Sequence, residues 1–540
     1  MVSMDRHNNR VQRSFKLNAS HFCPTTIQLV DTAWLRCFDR RGCVSDGQIR
    51  YAPSLTKPNS HYYYPKGGTT TVAAVAIRHS PRTTDTYDPR SLDSCYRHVR
   101  KLLCHPKPIS RRDYCETMYP SAKRATYLAA LSDLENNGVV RSNVTAFTKI
   151  EKMTTSKYKP PRLIQARDLT FNIEFGRYIK PLEYQLFKVS RYKHLFGKGN
   201  QDQVAQKIFK TSRKFKYKIE GDHDTFDAHY KVEHHKLKFK FYAACFYHSK
   251  ELRTLCRKYL RKKCRTQDGF SWTLYDTHGS GDVDTSVGHC ILNYALICEA
   301  FSRAYFKKHG TFPTAGKDFE VIVNGDDYIL FANDKIDPAD ITTELARLNM
   351  NTKFKEWQTD IHKVEFCQSR MVIRSDGTPT MMLNPERTYK RFGMTHHQAA
   401  LEAYPKFLYE LCLCLGLTHA NTPVGHCYLD IIGEDASKHD TLFQKAKNLK
   451  TIEPSLLHVL EREQKTKHSD RIVTESMYIA YPNILEIMQK IKNIPNILRR
   501  KNGYALVLRL NHRLKTLQYT TTKYHLVDER GRNPKKDTVT

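Results

Sequence analysis

The sequence predicts a mixed fold of helices and strands, α+β or the related α/β and not all-α, with α+β the expected class. Three observations carry this. Phe215, Tyr217 and Ile219 alternate with Lys216, Lys218 and Glu220, the period of two of a half-buried strand. Two apolar runs, residues 319–323 and 328–331, flank Asn324-Gly325, a dipeptide that tolerates positive φ and signals a hairpin. Tyr114, Met118, Ala122, Ala125, Leu128, Leu131 and Leu134 recur at helical spacing.

Along the chain, residues 1 to about 70 are rich in turn formers and tyrosine and read as an extended arm with short strands. The helical stretch that follows can be capped by Ser110, divided at Pro120 and stopped by Gly138. Residues 147–167 read as a basic loop with a strand at 161–164, and residues 171–186 return to helical periodicity. Residues 230–260 read as helical and very basic, with Lys236, Lys238, Lys240, Arg257 and Lys258. Mixed helix and strand continue to about 373. Beyond Pro385 the pattern is helical to Pro495, followed by a strand at 504–510 and a short polar tail, 528–540, expected to be disordered.

The chain has 540 residues, 40% of them hydrophobic, enough for several packed sub-domains. Lys and Arg number 88 against 55 acidic residues, a formal charge of +33. Such an excess repels itself unless a polyanion neutralises it, and nucleic acid is the commonest such partner. The bland alternative is a soluble protein that happens to be basic. Fifteen cysteines, an odd number without regular spacing, point to a reducing, intracellular setting. Cys95, His98, Cys104 and His105 come nearest to a metal cluster, but the last two are adjacent and fit a zinc finger poorly. Residues 1–17 have no apolar core and do not read as a secretory signal. No apolar run approaches the ~20 residues needed to span a bilayer. The best, 290–301, contains Asn293 and Glu299. Membrane attachment is therefore expected only through a partner or a peripheral surface.

The strand ending near Glu220 runs into Asp222, Asp224 and Asp227, three carboxylates within six residues. They form either a solvated acidic turn or a group whose repulsion wants a cation. Asp326 and Asp327 sit at the tip between two very apolar strands, where a sheet holds side chains rigidly and where metal-binding carboxylates belong. A plain hairpin facing water is the alternative. If the two strands lie side by side, Asp222 comes next to Asp326. Carboxylate oxygens suit Mg²⁺. Two such ions ~3.5–4 Å apart can activate an attacking 3′-hydroxyl and stabilise a leaving pyrophosphate.

Between the clusters stands Gly279-Ser280-Gly281-Asp282-Val283-Asp284-Thr285, a pliable loop before a helix marked by Val287, Ile291 and Ala295. Thr285 and His289 then share one helical face. An ordinary capped loop–helix junction explains the same pattern. Lys149, Lys152, Lys159, Arg162 and Arg167 make a basic stretch suited to a triphosphate, or else a solvated basic face.

In this order the pieces resemble the RNA-dependent RNA polymerases of positive-strand RNA viruses, nearest the tombusvirus-like group. The resemblance is carried by Pro161-Arg162-Leu163-Ile164-Gln165-Ala166-Arg167, Phe175-Gly176-Arg177-Tyr178, Lys180-Pro181-Leu182-Glu183, Asp222 with Asp227, Ser280-Gly281-Asp282 with Thr285, Gly325-Asp326-Asp327, and Val364-Glu365-Phe366-Cys367-Gln368-Ser369. It covers roughly residues 145–390. It implies a right-hand fold of fingers, palm and thumb whose antiparallel palm sheet is flanked by helices. The implied divisions are an N-terminal arm or fingertip (1–110), fingers (111–214), palm (215–230), a fingers insertion (231–274), palm (275–380), thumb (381–527) and tail (528–540).

The same resemblance implies two Mg²⁺ ions, with Mn²⁺ a possible substitute, on Asp222 and Asp326, with Asp327 auxiliary. Asp227 would sense the incoming ribose with Ser280, Gly281 and Thr285. Lys149, Lys159, Arg162 and Arg167 would contact the triphosphate. Lys353 or Lys355 would protonate pyrophosphate. Lys152 and the hairpin residues Cys367, Gln368 and Ser369 would touch template or product. One departure stands out: His289 occupies the place where such polymerases carry Asn, with Asn293 one turn on as a weaker substitute. Partners implied are single-stranded RNA template and product, NTPs and a membrane-anchored viral replication protein. The implied location is host cytoplasm, at membrane-associated replication complexes. Two rivals remain, a reverse transcriptase and a non-catalytic RNA-binding scaffold. Asp227 and Asn324-Gly325 speak against the first, and the ordered acidic motifs against the second.

Overall fold

In a computed structural model, the described residues are 71–149, 161–267, 270–395, 403–435, 439–448 and 470–495, apart from a few single positions, together with short strands nearer the two ends. The mixture of helices and antiparallel sheets matches the expected α+β class.

A four-stranded antiparallel sheet lies at the centre, in the order Phe319–Asn324, Asp327–Ala332, Tyr217–His223, Thr352–Phe354. One face is covered by the long helix Thr285–His309, nearly all of whose residues from Val287 to Ser302 are buried. Val321, Val323, Leu330 and Ile219 point into the core on that side. Ile322, Ile329 and Phe331 point the other way, against Val204, Ala205 and Ile208 of the helix Gln201–Ser212 and against Phe366, Met371 and Met381. The Tyr217–His223 strand is therefore sandwiched and not half-buried. Lys218 and Glu220, expected on a solvent face, are buried. Each carries a partner that meets the cost of burying charge: Lys218 Nζ donates to the Thr359 carbonyl at 3.0 Å, and Glu220 pairs with Lys355 and accepts the Glu365 amide. Interior position in a covered sheet overrides the alternating pattern.

A second sheet, of five strands, runs in the order Leu35–Cys37, Phe270–Leu274, Lys262–Thr266, Val144–Thr148, Leu163–Arg167. It knits segments distant in sequence, and one pair, Lys262–Thr266 with Val144–Thr148, is parallel. The strand expected at 161–164 is present as Leu163–Arg167, paired antiparallel with Val144–Thr148, and most of the basic loop expected between them lies outside the described residues.

The helical expectations divide in the predicted places. Ser110 accepts from the Asp113 amide at 3.0 Å and caps Arg111–Glu116, and Ser121–Asn137 follows Pro120 and ends at Gly138 with φ +63°. The basic stretch at 230–260 is two helices, Val232–Cys245 and Lys250–Leu260, broken where Tyr247 and His248 take positive φ. A separate apolar core joins Val372, Met382 and Phe392 to helices Tyr404–His419, Pro423–Ile431, Glu475–Ala480 and Ile484–Lys492. His98 lies 2.7 Å from buried Glu299, which Arg97 and Arg303 also pair, so it serves an ion-pair cluster rather than zinc. Burial alone would raise the Glu299 carboxyl, but hydrogen bonds from His98 and Ser94 and the charge of Arg97 outweigh it and hold the group down at about 2. Among the described residues no helix is long and apolar enough to cross a membrane. The strand expected at 504–510 and the tail at 528–540 lie outside the described residues.

Candidate active site

The hairpin that carries Asp326 turns one residue later than its Asn-Gly signal. Asn324 pairs with Asp327, so Gly325 and Asp326 are the central residues, and of these only Gly325 has positive φ, +68°. Glycine at the first central position is the pattern of a II′ hairpin. On the other side Tyr328 pairs with Gly221, and the next step of that register sets Asp327 beside Asp222. Asp222, Asp326 and Asp327 are all exposed at this one end of the sheet. Among the described residues no cationic side chain lies within ion-pair distance of any of them.

Their mutual influence is visible at Asp327. Its carboxyl is pushed up to about 6, first by loss of water where protein atoms crowd it, then by the negative charges of Asp326 and Asp222, against a hydrogen bond to Cys367. The oxygens of the three do not all come within 4.8 Å of one another; among the described residues only Asp227, His278 and His289 make so tight a trio of possible ligands. Like charges without a cation between them stand apart, whereas the second trio is drawn together by hydrogen bonds.

Those bonds fix Asp227. His289 Nε2 lies 2.8 Å from Asp227 Oδ1 and its Nδ1 lies 2.8 Å from the Tyr230 hydroxyl. With Tyr230 donating to Nδ1, the ring donates from Nε2 and aims the carboxylate. Asp227 remains partly open to solvent, while His289 is buried. The His278 ring lies tilted against that of His289 with centroids 4.5 Å apart, and its Nε2 lies 3.0 Å from Thr285 Oγ1.

Asn293 takes a different part from the one expected. It is wholly buried, and its amide donates to the carbonyls of Gly325 at 3.0 Å and Asp326 at 2.9 Å. Its Oδ1 accepts from His223 Nε2 at 3.0 Å, and His223 Nδ1 meets Thr352 Oγ1 at 2.7 Å. Burial holds His223 down to about 4, so the neutral ring with its proton on Nε2 completes this network. One residue of the helix Thr285–His309 thus ties the hairpin turn to two neighbouring strands. Cys290 adds to it by accepting the Gly325 amide at 3.2 Å. Both amide hydrogens of Asn293 are committed and its side chain is wholly buried, so it braces the turn rather than facing a substrate, and this corrects its expected role.

Residues 76–484, well over half of the chain, match the family described as viral RNA dependent RNA polymerase. The chain belongs to that family. Among curated relatives it is 30% identical over 305 residues to the RNA-directed RNA polymerase of Oat chlorotic stunt virus, covering 52% of this chain and 38% of the relative. It is 30% identical over 332 residues to that of Turnip crinkle virus, covering 58% and 40%. To that of Tomato bushy stunt virus it is 31% identical over 293 residues, covering 51% and 34%. The aligned part of the chain therefore spans well under half the length of these relatives.

In this family member the loop before the long helix is locked to the second sheet. Arg167 Nε donates to Asp282 Oδ1 at 2.7 Å with both side chains buried, and the guanidinium lies 4.4 Å over the Tyr259 ring. Burial alone would push Asp282 up, but Arg167 outweighs it and holds that carboxyl below its usual value. Arg167 is therefore a clamp on the loop and not a solvent-facing phosphate contact. Two residues on, Asp284 meets Lys238 Nζ at 2.6 Å and accepts from the hydroxyls of Tyr242 and Tyr259, all wholly buried. A Cβ on Gly281 would strike the Gln165 carbonyl, so glycine is required for this approach. Ser280 Oγ donates to the Leu163 carbonyl at 2.9 Å, and Thr285 Oγ1 to the Asp282 carbonyl at 2.7 Å.

Lys149 and Arg162 are exposed and joined backbone to backbone at the end of their strand pair, so they stand side by side. Lys152 and Lys159 lie outside the described residues. The two candidate lysines separate clearly. Lys355 is committed to Glu220, whereas exposed Lys353 pairs in register with Asp222 and has no ionic partner among the described residues. Cross-strand pairs share a face. Cys367 and Gln368 both take positive φ, +51° and +63°, in the two-residue turn that ends at Ser369. Asn324 Nδ2 donates to Cys367 Sγ at 3.3 Å, so that thiol faces the hairpin that carries Asp326, while Gln368 is exposed.

Sequence reasoning missed Tyr230, His223, His278, Lys238 and the clasp of Asn293. Lys238 had a signal: it shares a helical face with His235, Tyr242 and Cys245, all buried, and not with exposed Lys236 and Lys240.

Proposed function

We propose that the chain is an RNA-directed RNA polymerase that copies a positive-strand viral RNA from NTPs and releases pyrophosphate. The observation that carries this is the strand register. It sets Asp222, Asp326 and Asp327 together at one sheet end, with no cationic side chain within ion-pair distance among the described residues, and Lys353 across from Asp222.

That uncompensated charge, and the lifted Asp327 carboxyl, fit a divalent cation site. Asp222 and Asp326, with Asp327 in support, would hold two Mg²⁺ ions or Mn²⁺ in their place. The chemistry supplied there when they are bound is activation of a 3′-hydroxyl and neutralisation of the leaving pyrophosphate. The chain's own residues do the rest. Lys353, free of other partners, stands where it can hand a proton to pyrophosphate. Asp227, aimed by His289 and Tyr230, offers a fixed acceptor to a ribose hydroxyl, and Ser280 and Thr285 hold the adjoining loop at its distance. Lys149 and Arg162, with Lys152 and Lys159, supply charge for the triphosphate. Cys367, Gln368 and Ser369 brace the hairpin beside the product strand.

In the right-hand reading, the four-stranded sheet is palm, the five-stranded sheet with the helices around it is fingers, and the C-terminal helical core is thumb. Recruitment to host membranes would come through a membrane-anchored viral partner. The test compares wild type and Asp326→Asn for extension of an RNA template with ribonucleotides. Synthesis by the wild type and none by the variant supports the reading. Equal behaviour of the two sinks it.

A further inference from the structure

On the flank of the central sheet away from the helix Thr285–His309 lies a cleft of about 680 Å³, between the helix Gln201–Ser212, the segment 187–198 and the turn at 374–379. Its wall gathers Lys188, Lys193, Lys198, Lys207, Lys210 and Lys214. The one acid among the lining residues, Asp202, is already taken by Arg374 at 3.0 Å and by Thr380. Among the described residues none of the six lysines has a carboxylate within ion-pair distance. Lys207 shows the cost. Burial first, and then the charges of Lys188 and Lys193, pull its ammonium down to about 8. It stays in place by donating to the carbonyls of Phe196 at 2.9 Å and Lys198 at 2.7 Å. Six cations converging in a concave site with their charge unanswered describe half of an interaction whose other half is a polyanion.

The cleft is also joined to the catalytic hairpin. The Gly197 amide donates to the Val323 carbonyl at 2.8 Å, on the strand that leads into Gly325. Gly197 approaches Phe366 so closely that a Cβ would collide with its ring. The charge of Lys198 reaches Cys290 and Cys367, the thiols on either side of the turn.

From this geometry we propose that the cleft is a second site for single-stranded RNA, gripping its phosphates beside the palm and independently of the catalytic carboxylates. Three features favour RNA over a flat anionic surface. The site is concave, Lys207 and Lys210 share a face of the helix Gln201–Ser212 with Lys214 just beyond its end, and Gly197 beside it bonds the strand that leads into the hairpin where a strand would be copied. The choice of RNA as the polyanion rests on the polymerase reading; the site itself does not.

The test is equilibrium binding of a single-stranded RNA to the full chain in metal-free buffer, over a range of salt. The proteins are wild type, the triple variant Lys193→Gln/Lys210→Gln/Lys214→Gln, and Asp326→Asn. All three lysines are exposed, so the triple variant should melt with the wild type. It is expected to bind about tenfold or more weakly, with a slope of log K against log salt shallower by about 2, from ~0.7 per lost phosphate contact. Asp326→Asn should bind like wild type. In unsubstituted protein, RNA should shield those lysines from acylation.

Unchanged affinity and slope, or no shielding, overturns the proposal. So does unchanged RNA binding with lost binding to vesicles containing phosphatidylinositol phosphate, which would make the cleft a membrane site. A chain that synthesises no RNA yet shows the lysine-dependent binding would keep the cleft and lose the polymerase reading.

Discussion

Two groups of aspartates lie on either side of one helix start, and the molecule treats them oppositely. Asp282 and Asp284, in the loop before Thr285, are buried, each against its own cation, Arg167 and Lys238. Asp222, Asp326 and Asp327, at the sheet end, are exposed and have no cationic side chain within ion-pair distance among the described residues. Buried pairs seldom add much stability over apolar packing, but a lone survivor is costly. The first group therefore specifies where the loop sits. The second leaves negative charge unbalanced, which is useful only if something else arrives to balance it. Balanced charge marks scaffold here, and unbalanced charge marks the proposed site.

The sharpest break of this contrast is Asp326→Asn. RNA synthesis should fall about a thousandfold or more, equivalent to about 4 kcal/mol of transition-state stabilisation, while the melting temperature stays level or rises. Primer or template extension and a thermal melt read both halves. A parallel loss of stability would erase the distinction.

Asp284→Asn should do the reverse and cost about 3–5 kcal/mol in chemical denaturation by stranding Lys238. The double replacement Lys238→Met/Asp284→Leu should recover most of that. If the single change is silent, the pair is not what holds the loop.

Asn293→Leu tests the clasp between the two regions. It strands the Gly325 and Asp326 carbonyls and the His223 Nε2–H, and about 2–3 kcal/mol should be lost. Synthesis should fall as well, because the turn is no longer tied down.

The buried histidines give the comparison a pH axis. His234 is held down to about 4 by burial, from an ordinary value near 6.5, and its Nε2 donates to the Leu348 carbonyl at 2.9 Å. A depressed histidine contributes fully above pH ~6.5 and loses its contribution as pH falls toward 4, because the unfolded chain binds the proton first. Stability should drop by about 2 kcal/mol per such group between pH 7 and pH 5. In urea titrations at the two pH values, His234→Gln should lose its share of that slope.

Asp224→Asn should do least. Its pair with Arg82 at 3.1 Å is well exposed, and less than about 1 kcal/mol is at stake, with synthesis unchanged. A large effect on synthesis would move Asp224 into the site.

Much of this was legible in the chain itself. The apolar runs around 324–327 and the glycine at 325 set a hairpin, because a strand pair needs buried faces and a turn needs a residue that accepts positive φ. The spacing of Asp222, Asp227, Ser280-Gly281-Asp282 and Gly325-Asp326-Asp327 carried the family. Local pattern misled where the neighbours were remote. Lys218 and Glu220 looked like an outward face until a helix and a hairpin covered it. Arg167 looked like one cation among several until Asp282, far along the chain, claimed it.

The sequence by itself determined the elements, the excess of positive charge and the identities of the acidic side chains, since propensity, periodicity and composition are local quantities. Only the tertiary structure decided which of those charges are answered. An ion pair depends on distance and on exclusion of water, and neither is fixed until strands 100 residues apart have found their register.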